Sequence, residues 1–256
     1  MSSRKKPAAK SADPVQTPCS RCPLRKYEHF RAFEPQELAF VEKFKVGELA
    51  VQAGSTVLLD GTDSPHLFTI LEGWAMRFKI FDDGQRQVLN FGMPGDFVGL
   101  QSALFDKMTH SVEALTDMRL CVFTRSRVWE LYEKHAGLGF DLTWIAAREE
   151  SILAEHLANV GQRSAFERLA YIVIYLYDRA RRSGLSRGNV LTTPITQEHL
   201  ADAMGLSIVH TNKTLKRLKA TGWMDWRRQE LKILDEARLA ELAAYEIVER
   251  KPRPFI

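Results

Sequence analysis

The distribution of glycine and proline along the chain constrains the fold more than any other feature. From Gly47 to about residue 124, short apolar runs rich in β-forming residues alternate with glycine, proline and aspartate turn signals. Short strands at regular spacing with such turns predict a β-barrel or β-roll. The predicted strands are residues 56–59, 66–71, 75–81, 87–91 and 120–123.

Helical patterns flank this β-rich stretch on both sides. Residues 33–46 predict a first helix, because their apolar positions share one face. Residues 127–180 contain no proline and only three glycines, and the pattern predicts two longer helices at 138–160 and 164–182. The second contains the apolar run 169–177, which at nine residues is shorter than the roughly 20 that a bilayer span requires. We therefore expect a buried helix there.

The composition and motifs exclude several classes of protein. Residues 1–18 carry four basic residues and one acidic residue, lack the apolar stretch of a signal peptide and predict a disordered basic tail. Three cysteines are too few for a disulfide scaffold. No Ser/His/Asp grouping, glycine-rich phosphate loop or histidine-rich metal motif indicates an enzyme. We expect a soluble, cytoplasmic protein without a membrane partner.

The apolar stripe of the first long helix predicts a dimer interface. A long amphipathic helix outside a β-roll needs something to cover its apolar face, and a second copy of the chain is the predicted cover. Packing on its own roll is the alternative. The predicted interface residues are Leu138, Leu142, Ile145, Ile152 and Leu153.

Residues 196–218 have the pattern of a helix-turn-helix. Thr196 and Ser207 are suitable N-caps for two short helices, and Gly205 supplies the turn between them. Thr211 and Thr214 depart from the pattern, because an apolar core face is usual at their positions, although their methyl groups can pack. Residues 222–234 then alternate between apolar and polar positions and predict a β-hairpin wing.

Positive charge is concentrated on this same unit. The whole chain has 36 basic and 32 acidic residues, a net charge of +4. Between residues 207 and 228 alone, six basic residues face one acidic residue, so the local net charge is +5. Such clustering is typical of proteins that contact DNA phosphates, the alternative being a solvated basic helix face. The six are Lys213, Lys216, Arg217, Lys219, Arg227 and Arg228.

A β-roll, a long helix and a winged helix-turn-helix, in this order, resemble the Crp/Fnr family of bacterial transcription regulators over about residues 19–240. The residues 95–99, Gly-Asp-Phe-Val-Gly, add to the likeness. The resemblance implies an α+β fold with an N-terminal cyclic-nucleotide-binding-like β-roll, a long dimerisation helix and a C-terminal winged helix-turn-helix. It also implies a homodimer on palindromic double-stranded DNA and contact with RNA polymerase. The expected divisions are a tail (1–18), a sensor roll with the cysteine motif (19–136), a dimerisation helix (137–162) and a DNA-binding domain (163–256).

The resemblance also implies which residues contact DNA. In the family, an Arg-Glu-x-x-x-Arg segment after the capping serine contacts base edges, and here Ile208, Val209 and Lys213 occupy those positions. Isoleucine and valine contact a thymine methyl group but form no hydrogen bond with a base. The operator is therefore expected to differ from the familial one. The predicted contacts are Thr196, Ser207, Ile208, Val209, His210, Asn212, Lys213, Lys216, Arg227 and Arg228.

Cyclic AMP is not the expected effector. Family members that bind it have a glutamate for the ribose just after the Gly-Asp-Phe-Val-Gly-like turn, and an Arg-Ser pair for the phosphate. Here Leu100 and His110-Ser111 stand at those positions. An apolar side chain accepts no ribose hydroxyl, and histidine is a poor substitute for a bidentate guanidinium.

The cysteines predict a different sensor. Cys19 and Cys22 form a Cys-x2-Cys pair, and Cys121 lies late in the roll. In the oxygen-sensing branch of the family, an N-terminal cysteine group and one roll cysteine hold an iron–sulfur cluster. A further N-terminal cysteine of that branch is absent here, and Glu28 and His29 occupy its neighbourhood.

The three cysteines are compatible with several kinds of site. A [4Fe–4S] cluster would take a fourth ligand such as His29 or Glu28, whereas a [3Fe–4S] cluster needs only the three thiolates. Another metal, a thiol redox switch, or cysteines without function are the alternatives. In the absence of a cysteine function, a small ligand or haem is the expected effector, with His66, His110 and His135 as candidate ligands.

Overall fold

The computed structural model describes residues 17–247 and 252–256 of the chain. The predicted tail, residues 1–18, lies outside the described residues except at its last two positions. Two short 3-10 turns, Cys19–Arg21 and Pro23–Lys26, precede the first helix. Helix α1 (Pro35–Phe44) ends where a strand begins, so it is shorter than its sequence pattern predicts.

The β-rich stretch folds into a roll of two four-stranded antiparallel sheets. The elements are β1 (Lys45–Val51), β2 (Thr56–Leu58), β3 (His66–Glu72), β4 (Ala75–Ile80), β5 (Arg86–Gly92), β6 (Phe97–Val98), α2 (Leu100–Phe105), β7 (Ser111–Ala114) and β8 (Met118–Thr124). The strand orders are β1-β8-β3-β6 and β2-β7-β4-β5. All five predicted strands are present, while β1, β6 and β7 were not predicted.

Three helices follow the roll: α3 (Trp129–Lys134), α4 (Ala136–Gln162) and α5 (Ala165–Arg182). The two long ones confirm the helices predicted from the lack of glycine and proline. Helix α5 begins at a capping box, in which Ser164 Oγ accepts from the Glu167 N–H and the Glu167 carboxylate accepts from the Ser164 N–H. None of the helices in the described ranges is long and apolar enough to cross a membrane.

The remaining elements form a winged helix-turn-helix. They are β9 (Ser186–Arg187), β10 (Val190–Thr192), α6 (Gln197–Met204), α7 (Ile208–Ala220), β11 (Met224–Arg227), β12 (Glu230–Ile233) and α8 (Glu236–Leu242). The predicted wing is the hairpin of β11 and β12, and it continues into a four-stranded sheet of order β11-β12-β10-β9. Residues 252–256 then return to the roll, where Arg253 forms a parallel bridge with Phe30.

One hydrophobic core spans the roll and the DNA-binding half. Residues 169–177 of α5 are all at most 3% exposed, as their apolar run predicts. They pack in one cluster with apolar side chains of β4 and β5, and with buried residues of α6, α7 and the wing. The β4–β5 contribution consists of Met76, Phe78, Val88 and Phe91.

Candidate DNA-binding and sensing sites

The helix-turn-helix forms from local capping interactions, as the sequence predicts. Thr196 Oγ1 accepts a hydrogen bond from the His199 N–H at 3.2 Å, where α6 begins. Gly205 takes the left-handed conformation at φ 62°, which glycine adopts without a steric cost. Ser207 Oγ accepts from the His210 N–H at 3.2 Å, where α7 begins. Neighbouring residues therefore set the geometry of the turn.

One face of α7 is open to solvent, and the predicted base contacts lie on it. Ile208 and Val209 are 42% and 60% exposed, whereas Leu215 and Leu218 on the other face are buried. The open face thus offers apolar groups near the start of the helix and polar groups further along it. The other predicted contacts on α7 are exposed or half-buried, namely His210, Asn212, Lys213 and Lys216.

A groove between the two helices and the wing is lined by predicted DNA contacts from three elements. Thr196 at the start of α6, Asn212 and Lys216 of α7, and Arg228 at the tip of the wing all line it. Its volume is about 740 Å³. Contacts that are up to 32 positions apart in sequence therefore lie along one surface.

The cations of this surface differ in whether an acidic side chain pairs with them. Asp225 accepts from Lys219 at 2.8 Å and from Arg227 at 2.6 Å. These cations hold the pKa of the Asp225 carboxyl below its ordinary value, chiefly through the Lys219 hydrogen bond. Arg227 is nonetheless 80% exposed. Asp225 therefore offsets charge on Lys219 of α7 and Arg227 of the wing, and it forms no ion pair with Lys213, Lys216 or Arg228.

Thr211→Val is expected to raise the free energy of unfolding by about 1 kcal/mol. Thr211 is fully buried in α7, and its Oγ1 has no hydrogen-bond partner among the described residues. Valine has nearly the same shape and removes the buried hydroxyl. Urea denaturation measures the effect, with Thr192→Val at an exposed position of β10 as the control. A loss of stability at Thr211 would show that the hydroxyl is satisfied.

The three cysteines lie in one hydrophobic cluster of the sensor half. Cys19 and Cys121 are each 7% exposed, and half-buried Cys22 packs against the same cluster. All three are free thiols. Burial raises the pKa of each thiol, to about 11 for Cys19, while the cation of Lys45 acts in the opposite direction. Cys19 and Cys22 also raise the pKa of Cys121, because like charges oppose ionisation at short range.

The three thiols share one hydrophobic cluster, but they are not arranged as a preformed metal site. Among residues 17–247 and 252–256, no set of three or more His, Cys, Asp or Glu side chains is arranged to hold a metal ion. The proposed fourth ligands, Glu28 and His29, are both exposed. His29 lines a separate cleft beside Asp96 and Arg253. The three thiols thus share a hydrophobic cluster, whereas both candidate fourth ligands are exposed to solvent.

A second cavity lies between the roll and α4. Its volume is about 630 Å³, and at its polar end Arg77 forms an ion pair with Glu149 and donates to His110 Nε2 at 3.1 Å. Burial, assisted by the charge of Arg77, lowers the pKa of His110 to about 3, so the imidazole is neutral. The other two candidate haem ligands, His66 and His135, do not line this cavity. Its apolar lining includes Leu100, Leu104, Phe105, Leu153 and Leu157.

Most of the predicted dimer stripe is buried within one subunit. Leu138, Leu142 and Ile152 are 0%, 1% and 7% exposed, because they pack into the hydrophobic clusters of their own chain. Ile145 and Leu153 are half-buried. The burial of the first three residues fits the alternative that they pack on their own subunit.

A buried polar network that joins the roll to α5 was not predicted. Arg179 donates to Asn90 Oδ1 at 3.0 Å, to the Tyr175 hydroxyl at 2.9 Å and to Asp96 Oδ2 at 2.5 Å. All four side chains belong to buried residues. The Asp178-Arg179 pair at the end of the apolar run was the one sequence signal that could have indicated it.

Comparison with known sequences decides the family. The Cyclic nucleotide-binding domain family matches residues 48–135, and the Crp-like helix-turn-helix domain family matches residues 167–242. The chain belongs to the Crp/Fnr family. As a Crp/Fnr chain, it is a DNA-binding transcription regulator and not an enzyme.

Individual Crp/Fnr relatives match almost the whole chain. Nitrogen fixation regulation protein FixK of Bradyrhizobium diazoefficiens is 27% identical over 240 residues, covering 93% of this chain and 99% of its own. Transcriptional activator protein FnrL of Cereibacter sphaeroides is 28% identical over 229 residues, covering 88% and 91%. The structure of FixK2 from Bradyrhizobium japonicum matches with a TM-score of 0.68 at 22% identity, covering 78% of this chain and 98% of that one. This structural likeness establishes the fold.

Proposed function

We propose that this protein is a homodimeric transcription regulator that recognises a palindromic operator through α7 and responds to oxygen or redox state through its three cysteines. The single observation that most supports DNA recognition is the open face of α7, where apolar and cationic side chains lie beside the groove of the wing. Helices of this kind enter the major groove with their N-terminal residues against base edges. Ile208 and Val209 would contact thymine methyl groups, and Lys213 would contact guanine.

Lys213→Ala is expected to weaken binding to the specific site by about 1–3 kcal/mol. The probe is a palindromic fragment selected from random double-stranded DNA with the wild-type protein, and fluorescence anisotropy gives the dissociation constant. Lys107→Ala, at an exposed position of the roll, is the matched control and should leave affinity unchanged. An equal loss on unrelated DNA would identify Lys213 as a phosphate contact, and no loss at all would contradict the proposed orientation of α7.

The proposed dimer uses the face of α4 that its own subunit leaves uncovered. Phe140 and Leu157 are 69% and 75% exposed on this helix. They belong to an exposed stripe with alternating spacings of three and four residues, which is the spacing of a two-helix seam. Its members are Phe140, Thr143, Ala147, Glu150, Ala154 and Leu157. Small residues in this stripe would let two copies of α4 approach closely, and contact with RNA polymerase would use other surfaces.

Glu150→Ala is expected to tighten the dimer by about 1 kcal/mol, roughly fivefold in its dissociation constant. In a parallel twofold dimer, residues of the stripe meet their own copies, so two Glu150 carboxylates would repel each other. Sedimentation equilibrium measures the change. Glu155→Ala is the matched control, because Glu155 is exposed on the same helix but outside the stripe. Equal effects of the two substitutions would place the interface elsewhere.

The proposed sensor is the cysteine cluster. Cys19, Cys22 and Cys121 would hold an iron–sulfur cluster, either [3Fe–4S] or a [4Fe–4S] cluster whose fourth ligand is not supplied by this set. When bound, such a cluster supplies oxygen-sensitive redox chemistry. The three residues would contribute thiolates, and the surrounding apolar side chains would restrict access of water. The gathering of the three thiols in one hydrophobic cluster supports this proposal.

Iron and sulfide content of protein purified without oxygen from iron-replete cells tests the sensor. We expect a brown protein with a visible absorption band that Cys22→Ser abolishes, while Ser20→Ala, at an exposed neighbouring position, retains it. A colourless, iron-free wild-type protein would refute the cluster. It would leave DNA recognition untouched, because that proposal rests on α7.

A specific observation favours a second candidate sensor, a small apolar ligand in the cavity beside α4. The cavity is lined mainly by apolar side chains, and its polar end holds a neutral His110 and an Arg77 already paired with Glu149. This arrangement provides little free positive charge for a phosphate, so the chemistry favours a neutral ligand over a cyclic nucleotide. Iron-free protein whose melting temperature rises with such ligands, and not with cyclic AMP, would support this alternative.

A further inference from the structure

Residues 252–256 lie in a groove of the sensor half as an extended peptide would lie on a binding site. The Arg253 N–H donates to the His29 carbonyl at 2.8 Å, and the Arg31 N–H donates to the Arg253 carbonyl at 2.8 Å. The segment therefore forms one parallel β-bridge, between Arg253 and Phe30, with a main-chain hydrogen bond on either side. Peptide-binding proteins use this mode to obtain affinity from the main chain and specificity from side-chain pockets.

The apolar side chains of the segment fill such pockets. Phe255 is 4% exposed and lies between two rings, with centroid distances of 5.3 Å to Phe30 and 4.8 Å to Phe33. Ile256 is 3% exposed, and its main-chain oxygen accepts a hydrogen bond from the buried Thr69 hydroxyl. Two adjacent side chains of an otherwise irregular segment are thus as buried as a domain core.

Arg253 adds an electrostatic anchor. Its guanidinium donates to Asp96 Oδ1 and to the Pro94 carbonyl, both at 2.9 Å, and it lies 4.8 Å from the centre of the Phe30 ring. Gly95 lies directly beneath, since a Cβ atom there would approach Phe30 to 2.3 Å and Arg253 to 2.7 Å. The site therefore selects a cation, and it requires a residue without a side chain at position 95.

The groove adjoins the cysteine cluster. Thr69, which holds Ile256, pairs directly with Cys121 across strands β3 and β8. Cys19 and Cys121 share their hydrophobic cluster with Phe255 and Ile256. The segment follows the DNA-binding half in sequence, so its docking connects that half to the part of the sensor that contains the thiols.

We propose that the sensor half contains a peptide-binding groove specific for an Arg-x-Phe-Ile segment, and that residues 252–256 occupy it within the same chain as a strap. The strap holds the DNA-binding half against the sensor beside the cysteines. This role depends on the contacts of Arg253, Phe255 and Ile256, and it does not require a cluster to be bound. Any chemical change at the cysteines that displaces Ile256 would release the strap.

The test uses the full chain and a fluorescent, amide-capped synthetic peptide with the sequence of residues 248–256. Wild-type protein should bind the peptide weakly, because its groove is filled by its own strap. Phe255→Ala and Arg253→Ala proteins should each bind it at least about tenfold more tightly. The matched control is Ile247→Ala, at a position 41% exposed, and it should behave as wild type, whereas Ile256→Ala should resemble Phe255→Ala.

Hydrogen exchange provides a second readout that remains usable if a variant is destabilised. Hydrogen exchange of the Arg31 amide, which bonds to the Arg253 carbonyl, should accelerate in Phe255→Ala protein and slow again on addition of the peptide. Equal peptide binding by wild type and all variants, or equal binding of a peptide that itself contains Phe255→Ala, would overturn the proposal. Unchanged exchange at Arg31 would overturn it as well.

Discussion

Asp96→Ala is expected to lower the free energy of unfolding by about 3–5 kcal/mol. Asp96 is buried between two arginines from distant parts of the chain, Arg179 of α5 and Arg253 of the strap. Although burial alone would raise it, these two cations hold the pKa of the Asp96 carboxyl below its ordinary value. Removal of the carboxylate leaves the buried Arg179 guanidinium without its counter-charge, which is far more costly than the loss of an exposed ion pair.

Urea denaturation at pH 7 measures this effect. The control is Asp82→Ala, which removes an exposed carboxylate from the β4–β5 turn and should change stability by less than about 0.5 kcal/mol. Combining Asp96→Ala with Arg179→Met should recover part of the loss, because the double variant no longer buries an unpaired charge. A loss below about 1 kcal/mol for Asp96→Ala would mean that water or another group replaces the carboxylate.

When the pH is lowered from 7 to 5, two buried histidines are expected to lower the free energy of unfolding by about 4 kcal/mol. Burial lowers the pKa of His110 to about 3 and of His156 to about 4. His110 Nε2 accepts a hydrogen bond from Arg77, which requires this nitrogen to be unprotonated. At His156, burial lowers the pKa although the Nδ1 hydrogen bond to the Leu89 carbonyl acts in the opposite direction.

Proton uptake by the unfolded chain determines the direction in which the free energy of unfolding changes with pH. Below about pH 6.5 the unfolded chain protonates both rings while the folded chain does not, so stability decreases as pH falls toward the two folded pKa values. Each ring contributes about 2 kcal/mol by pH 5. Denaturation of His110→Gln and His156→Gln proteins should each show a shallower pH dependence, whereas exposed His210→Gln should keep the wild-type slope. Wild-type stability that is constant from pH 7 to pH 5 would contradict the neutral state of these rings.

Elements whose sequence signal is local are the ones that the structure confirms. The helix-turn-helix was predicted in position and detail, because Thr196, Gly205 and Ser207 define its caps and turn within a dozen residues. Its two unusual threonines are buried, so the expectation that their methyl groups pack is consistent with the structure. The roll strands were predicted where turn residues bound them. Strand β7 was missed, since only four residues form it and its partners lie far away in sequence.

The sequence alone does not decide between alternatives where the partner of a surface matters. The spacing of Leu138 and Leu142 identifies an apolar helix face, but periodicity contains no information about whether the same chain or a second copy covers it. The position of His29 in the same cleft as Asp96 depends on the path of the chain after Cys22. Residues 252–256 have no periodic pattern at all, and their burial is visible only once the groove that holds them has formed.

The hydrophobic core shared by β4, β5 and α5 determines how this regulator can switch. Because the core is packed continuously from the sensor half into the DNA-binding half, small displacements at its centre leave voids, which favours a few discrete arrangements over gradual bending. An alternative arrangement would have to re-cover Met76, Phe78, Val88 and Phe91 or leave them in water. Under the proposed cysteine sensor, a signal would change the populations of two such arrangements only through the difference in its binding free energy between them. To change the ratio of the two arrangements from 1:99 to 99:1, this difference in binding free energy would have to be about 5.5 kcal/mol.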